Sequence, residues 1–165
     1  MTARPILLWP DRRLGAAADP VGEIDDEVRA VWDDMIETME AMPGVGLAAP
    51  QIGVMRALAV VDASGERGRA IRMADPKPLE ASAETKPWEE ASPCLPGVVA
   101  KVVRPAKVRV AWTDETGARV RGAFDGLWAV SVQHQIDHLA GRLFIDRLSR
   151  TKRAMILTKY RKARA

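Results

Sequence analysis

His134 and His138 are the only two histidines of the chain, in Gln133-His134-Gln135-Ile136-Asp137-His138-Leu139. On an α-helix, positions i and i+4 share a face, so imidazoles spaced this way can reach one cation. Hydrolases built on this spacing place a glutamate directly after the first histidine, where it acts as general base beside a metal-bound water. Here that position is Gln135. A catalytic metal site needs three protein ligands and one open position. Cys94 is the only thiol and the only soft candidate for the third ligand. Two imidazoles and a thiolate suit Zn²⁺ or Fe²⁺. A bare His-x-x-x-His is a weak signal, because such pairs arise on helices by chance. The alternative is a metal-free fold with two packed histidines.

A second candidate is Gly44-Val45-Gly46-Leu47-Ala48-Ala49-Pro50-Gln51-Ile52-Gly53. Glycines among small residues let backbone approach something closely. That something is either the central helix or a ligand in a groove walled by main chain. In the second case Gln51 is the polar tip, able to donate a hydrogen bond to a developing oxyanion.

The elements that must position these residues can be read from periodicity. Ile24, Val28, Val31, Met35 and Met39 recur at spacings of three and four, which predicts a helix over 25–42, capped by Asp25 or Asp26 and stopped by Pro43-Gly44. Residues 11–20 read as loop. A short apolar run at 56–62 predicts a strand, and 63–69 a turn. Residues 107–113 and 119–124 alternate around Gly117 and predict a hairpin. Residues 127–139 form the helix that carries the histidines, and 148–161 a last helix. The composite is α+β, a central helix against short, mostly antiparallel strands. At 165 residues the chain is expected to be one domain, 1–165, with an adequate core. No apolar run approaches the ~18 residues of a membrane span. Residues 5–10 are too short for a signal-peptide core and are closed by Pro10. The expectation is a soluble, cytoplasmic protein with no membrane partner. One cysteine excludes an internal disulfide framework.

The net charge of +3 is uneven. Residues 146–165 hold eight Lys or Arg against Asp146, a charge of +7, which leaves −4 on the rest. A basic tail on a mildly acidic body suggests a polyanionic partner for the tail alone; the plainer reading is a solvated helix face.

Gly44-Val45-Gly46-Leu47-Ala48-Ala49-Pro50-Gln51 resembles the first motif of the peptide deformylases at every position. Ile6-Leu7, Pro10-Asp11 and Leu14 are similar to that family's opening, Asp34 to Met39 to its first helix, and His134 to Leu139 to its metal helix. The resemblance covers nearly the whole chain in the family's order. It implies an α+β fold with short antiparallel sheets around a central metal-binding helix and a basic C-terminal helix at 146–165. It also implies hydrolytic removal of the formyl group from the N-terminal methionine of nascent peptides. The metal implied is one divalent ion, Fe²⁺ or Zn²⁺ with Ni²⁺ as a further substitute, held by His134, His138 and Cys94. Gln51 then matches the glutamine that holds the formyl oxygen, and the Leu95 amide a second donor to it. Gly44, Val45 and Gly46 match positions lining the methionine pocket, with Val130 and Ser131 along it. The basic C-terminal helix implies docking on the ribosome.

Two departures matter. The family's Glu-Gly-Cys-Leu-Ser becomes Ser92-Pro93-Cys94-Leu95-Pro96, where only Cys-Leu agrees. A second alignment holds Glu89-Glu90 and Pro96-Gly97 fixed and puts Ser92 at the cysteine position, where serine is a poor ligand. The first is preferred, because Cys94 is the only thiol. The other departure is Gln135, which cannot accept a proton and return it to the leaving amine. General acid–base help is typically worth ~10²–10⁴-fold. The expectation is retained metal and deformylation lowered by at least ~10²-fold, unless Glu89 or Glu90 substitutes as the carboxylate. The alternative is a module that holds a metal or a formylated peptide without cleaving it.

Overall fold

The computed structural model describes residues 2–165. Helix α1 (Asp26–Ala41) begins where the periodicity places it. The Asp25 carboxylate accepts the Val28 amide at 2.9 Å, and Asp26 and Glu27 lie in the first turn, where the helix dipole favours negative charge. Its inner face buries Val28, Val31, Trp32, Met35 and Met39 against Leu47, Leu58 and Val60.

Leu47, Leu58 and Val60 belong to a five-stranded sheet. Strands β1 (Gly46–Ala48), β2 (Leu58–Val61), β3 (Ile71–Ala81), β6 (Lys107–Thr113) and β7 (Arg119–Asp125) lie in the order β1-β2-β3-β6-β7, each pair antiparallel. The expected hairpin is β6–β7, registered from Lys107↔Asp125 to Thr113↔Arg119. Strands β4 (Thr85–Ala91) and β5 (Val99–Pro105) form a separate two-stranded ribbon.

Helix α2 (Gly126–Leu139) is the centre of the molecule. Gly126 opens it with φ +54, a conformation side chains resist. Ala129, Val132 and Leu139 pack on Ala48, Ala59, Val61, Val110 and Trp112 of the sheet. Val130, Ser131, His134, Gln135, Asp137 and His138 are buried too, so nearly the whole circumference is inside. Polar residues there need partners within the protein.

Four strands escape the sequence reading, the short β1 among them. β3 carries Pro76 and Pro78, and its register with β6 shifts between Ala74 and Lys77 and again between Pro78 and Glu80. Proline cannot donate to a ladder, so bulges absorb it. Beside Pro76, Asp75 has φ +48, fixed by its carboxylate accepting the Val21 and Gly22 amides at 2.8 and 3.0 Å. The ribbon β4–β5 makes up the other two. The loop at 11–20 contains a 3₁₀ turn, Arg12–Gly15.

After a 3₁₀ turn at Phe144–Arg147, Ser149 caps α3 (Arg150–Ala163), which starts and ends two residues later than the expected helix. Leu157 and Tyr160 bury against Leu95, Phe144 and Ile145. Among the described residues no helix is long and apolar enough to cross a membrane.

Met35 has no exposed surface and lies at the centre of the α1 cluster. Met35→Ala should lower stability by about 2–5 kcal/mol, read from the urea midpoint, with no change in far-ultraviolet dichroism.

Candidate functional site

The fourth turn of α2 brings the histidines together as the spacing requires. His138 Nε2 lies 3.1 Å from His134 Nε2. His134 Nδ1 lies 2.9 Å from Glu90 Oε1, so the Nδ1–H donates to that carboxylate. With both rings neutral, His134 Nε2 is bare and accepts from His138 Nε2–H. His138 Nδ1 is then an unprotonated buried nitrogen, and it has no partner. Burial first, then the neighbouring His134 ring and the Arg104 charge, hold the His138 pKa well below the ordinary imidazole value.

Glu90 reaches His134 from β4 because Arg104 of β5 holds it. Arg104 Nε and Nη2 donate to Glu90 at 2.6 and 2.9 Å, and Nη1 donates to Asp137 Oδ2 at 3.0 Å. Arg147 Nε adds a bond to Asp137 at 3.0 Å. The network therefore ties β4, β5, α2 and the turn before α3. Burial alone would raise the Glu90 pKa, but its bonds to His134 and Arg104 win and hold it below the ordinary value. Neither Arg104 nor Asp137 was singled out in the sequence. An aspartate beside His138 on an otherwise apolar helix was the available signal.

Next to the histidines, a cavity of about 240 Å³ is lined by Gly44, Val45, Gly46, Gln51, Val130, Ser131, His134 and Gln135. All eight were expected at the site. Leu127, Met42, Pro43, Glu89, Glu90, Ala91 and Pro93 complete the wall. A Cβ on Gly46 would collide with Gln135 Nε2 and Ser131 Oγ, which explains the glycine. The Ser131 hydroxyl donates to the Val45 carbonyl at 3.0 Å, and the Asp62 amide donates to the same oxygen at 2.9 Å. Both lone pairs of that carbonyl are thus used. Gln51 Oε1 accepts the Ala48 amide at 2.9 Å, while its Nε2 lies 3.5 Å from Cys94 Sγ. Gln135 Oε1 is buried and has no hydrogen-bond partner.

Cys94 and Leu95 sit in the turn that follows β4. Among the described residues, no group of three or more His, Cys, Asp or Glu side chains is arranged to hold a metal ion. The chain turns at Pro93-Cys94, and backbone bonds fix that turn. The Cys94 carbonyl accepts the Trp9 amide at 2.9 Å, and its own amide donates to Ser92 Oγ at 3.3 Å. Burial raises the Cys94 thiol pKa, with Gln51 and Ser92 opposing only in part. The Leu95 amide donates to the Ser92 carbonyl at 3.0 Å, and its side chain sits in the α3 cluster. It does not reach the cavity as a formyl-oxygen donor.

Comparison with known proteins places this geometry. The family model described as polypeptide deformylase matches residues 3–154. A peptide deformylase of Methylocella silvestris is 46% identical over 168 residues, covering 99% of this chain and 86% of that one. One from Phenylobacterium zucineum is 43% identical, covering 98% and 97%. Among crystal structures, a peptide deformylase from Legionella pneumophila superposes with a TM-score of 0.92 at 39% identity, covering 99% and 96%. That of Ehrlichia chaffeensis in complex with actinonin gives 0.91 at 33%, covering 99% and 98%.

Peptide deformylases are metal-dependent. The donor set gathered here does not fit that requirement. Two imidazoles converge, and a catalytic site needs one more ligand.

The ion network is charge-balanced, two arginines against two carboxylates. Arg104→Met should strand Glu90 without its buried counter-charge and leave Asp137 only Arg147. The expected loss is about 3–5 kcal/mol in urea unfolding, far more than a surface pair would give.

Proposed function

The chain belongs to the peptide deformylase family, and we propose that it binds N-formylated nascent peptides while cleaving them weakly or not at all. The carrying observation is the cavity beside His134, walled by Gly44-Val45-Gly46 with the amides of Gln51 and Gln135 among its lining. Glycine backbone and Val130 offer an apolar slot for an unbranched side chain such as methionine. Gln51 and Gln135 offer hydrogen bonds to a formamide without adding charge.

Amide hydrolysis needs a proton acceptor for the attacking water and a donor for the leaving amine. Gln135 supplies neither. Glu90 cannot replace it, because both its oxygens are engaged by Arg104 and His134. Glu89 stands exposed at the cavity wall and is the remaining carboxylate. A bound metal would polarise the formyl carbonyl and lower the pKa of a water. The lost acid–base help alone amounts to ~10²–10⁴-fold.

A formyl-Met-Ala-Ser peptide should bind saturably, as read by calorimetry, with formate release at or near the uncatalysed rate. Gly46→Ala should abolish binding by filling the slot. Gln135→Glu alone should not restore turnover. Wild-type formate release at a rate untouched by Gln135→Ala and abolished by Glu89→Gln would replace the binding reading with catalysis by Glu89. Absence of peptide binding would end both.

The α3 helix supports a second partner, the ribosome. Lys152, Lys159 and Lys162 are exposed on it, whereas Arg153 is paired with Asp146 at 2.6 Å. Exposed lysines bind phosphates in a salt-dependent way. Removing the helix would uncover the Leu95 cluster, so charge reversal is the cleaner experiment. Triple Lys→Glu replacement should weaken ribosome cosedimentation and flatten its salt dependence. Unchanged cosedimentation would exclude this surface.

A further inference from the structure

Strand β4 delivers Glu90 to His134 and then ends at Ala91. Side chains two residues apart on extended chain share a face. Burial follows that rule, with Glu90 inside, Ala91 exposed and Ser92 inside. Ser92 therefore faces α2, one strand repeat beyond the carboxylate that orients His134. Two residues later the chain has already turned away. Cys94 has its sulfur near Gln51 and its carbonyl on Trp9, and Ser92 closes that turn by accepting the amides of Cys94 and Leu95.

From this arrangement we infer that Ser92, not Cys94, stands at the third ligand position, and that the histidine pair is a metal centre one sulfur atom short. The rest of such a centre is in place. His134 has its Nδ1–H fixed by a carboxylate, the arrangement that orients a metal-binding imidazole. His138 Nε2 converges on the same point. At Ser92 the chain offers a neutral hydroxyl, already accepting a hydrogen bond, in place of a thiolate. The two Nε2 atoms are instead satisfied by each other. Pro93 removes the backbone amide that follows this position, so the exchange takes a donor from the cavity as well. None of this depends on whether the cavity binds a peptide.

The test is metal binding by the whole protein, with Co²⁺ as probe and elemental analysis for iron and zinc. Wild type should retain no stoichiometric metal after gel filtration and give no cobalt ligand-field bands, and Cys94→Ala should behave the same. Ser92→Cys should gain one equivalent of Co²⁺ with a thiolate charge-transfer band, lost again when His138→Ala is added. Should Ser92→Cys not fold, Ser92→Asp supplies a carboxylate ligand for the same measurement. One tightly held equivalent in wild type would overturn the inference, whether or not Cys94→Ala removes it. So would a Ser92→Cys protein with a wild-type melting curve and no cobalt band.

Discussion

Arg104 is only 2% exposed and carries a full positive charge. Its guanidinium must be matched from within, and the two carboxylates that match it come from different elements. Glu90 is on β4 and Asp137 on α2. Removing charges from water costs several kcal/mol per ion, so such a cluster persists only when its members sit in one geometry. That geometry positions the ribbon against the central helix. It also aims Glu90 at His134, which turns His134 Nε2 toward His138. The approach of the two rings depends on a salt bridge that touches neither Nε2.

Beside the first histidine stands Gln135, an amide whose buried oxygen has no hydrogen-bond partner. A buried hydroxyl lies on the face where a third ligand would be needed, and a proline follows it. Gly46 still lacks the Cβ that would strike Gln135, and the slot beside it remains open.

Much of the architecture was legible beforehand. Helix α1 and the β6–β7 hairpin follow from their own periodicity and from local signals, Asp25 at the cap and Gly117 at the turn. α2 follows from its apolar repeat. β3 was hidden because Pro76 and Pro78 contradict a strand locally, and only pairing to β2 and β6 on both sides accommodates them through bulges. The β4–β5 ribbon was hidden because its stability comes from the Glu90–Arg104 bond and from burial of Val102 in the α3 cluster, neither of which is a property of adjacent residues.

What the sequence determined by itself is whatever depends on short-range spacing. That includes the two imidazoles on one helical face, the amide between them, and the glycine-lined wall. What only the tertiary structure decided is which residue of the Ser92-Pro93-Cys94 loop faces the helix. By residue type the lone thiol was the better ligand. The backbone bonds of Cys94 to Trp9 and of Leu95 to Ser92 turn that sulfur toward Gln51 instead. A loop's facing is set by hydrogen bonds to distant chain, and no count along the sequence contains them.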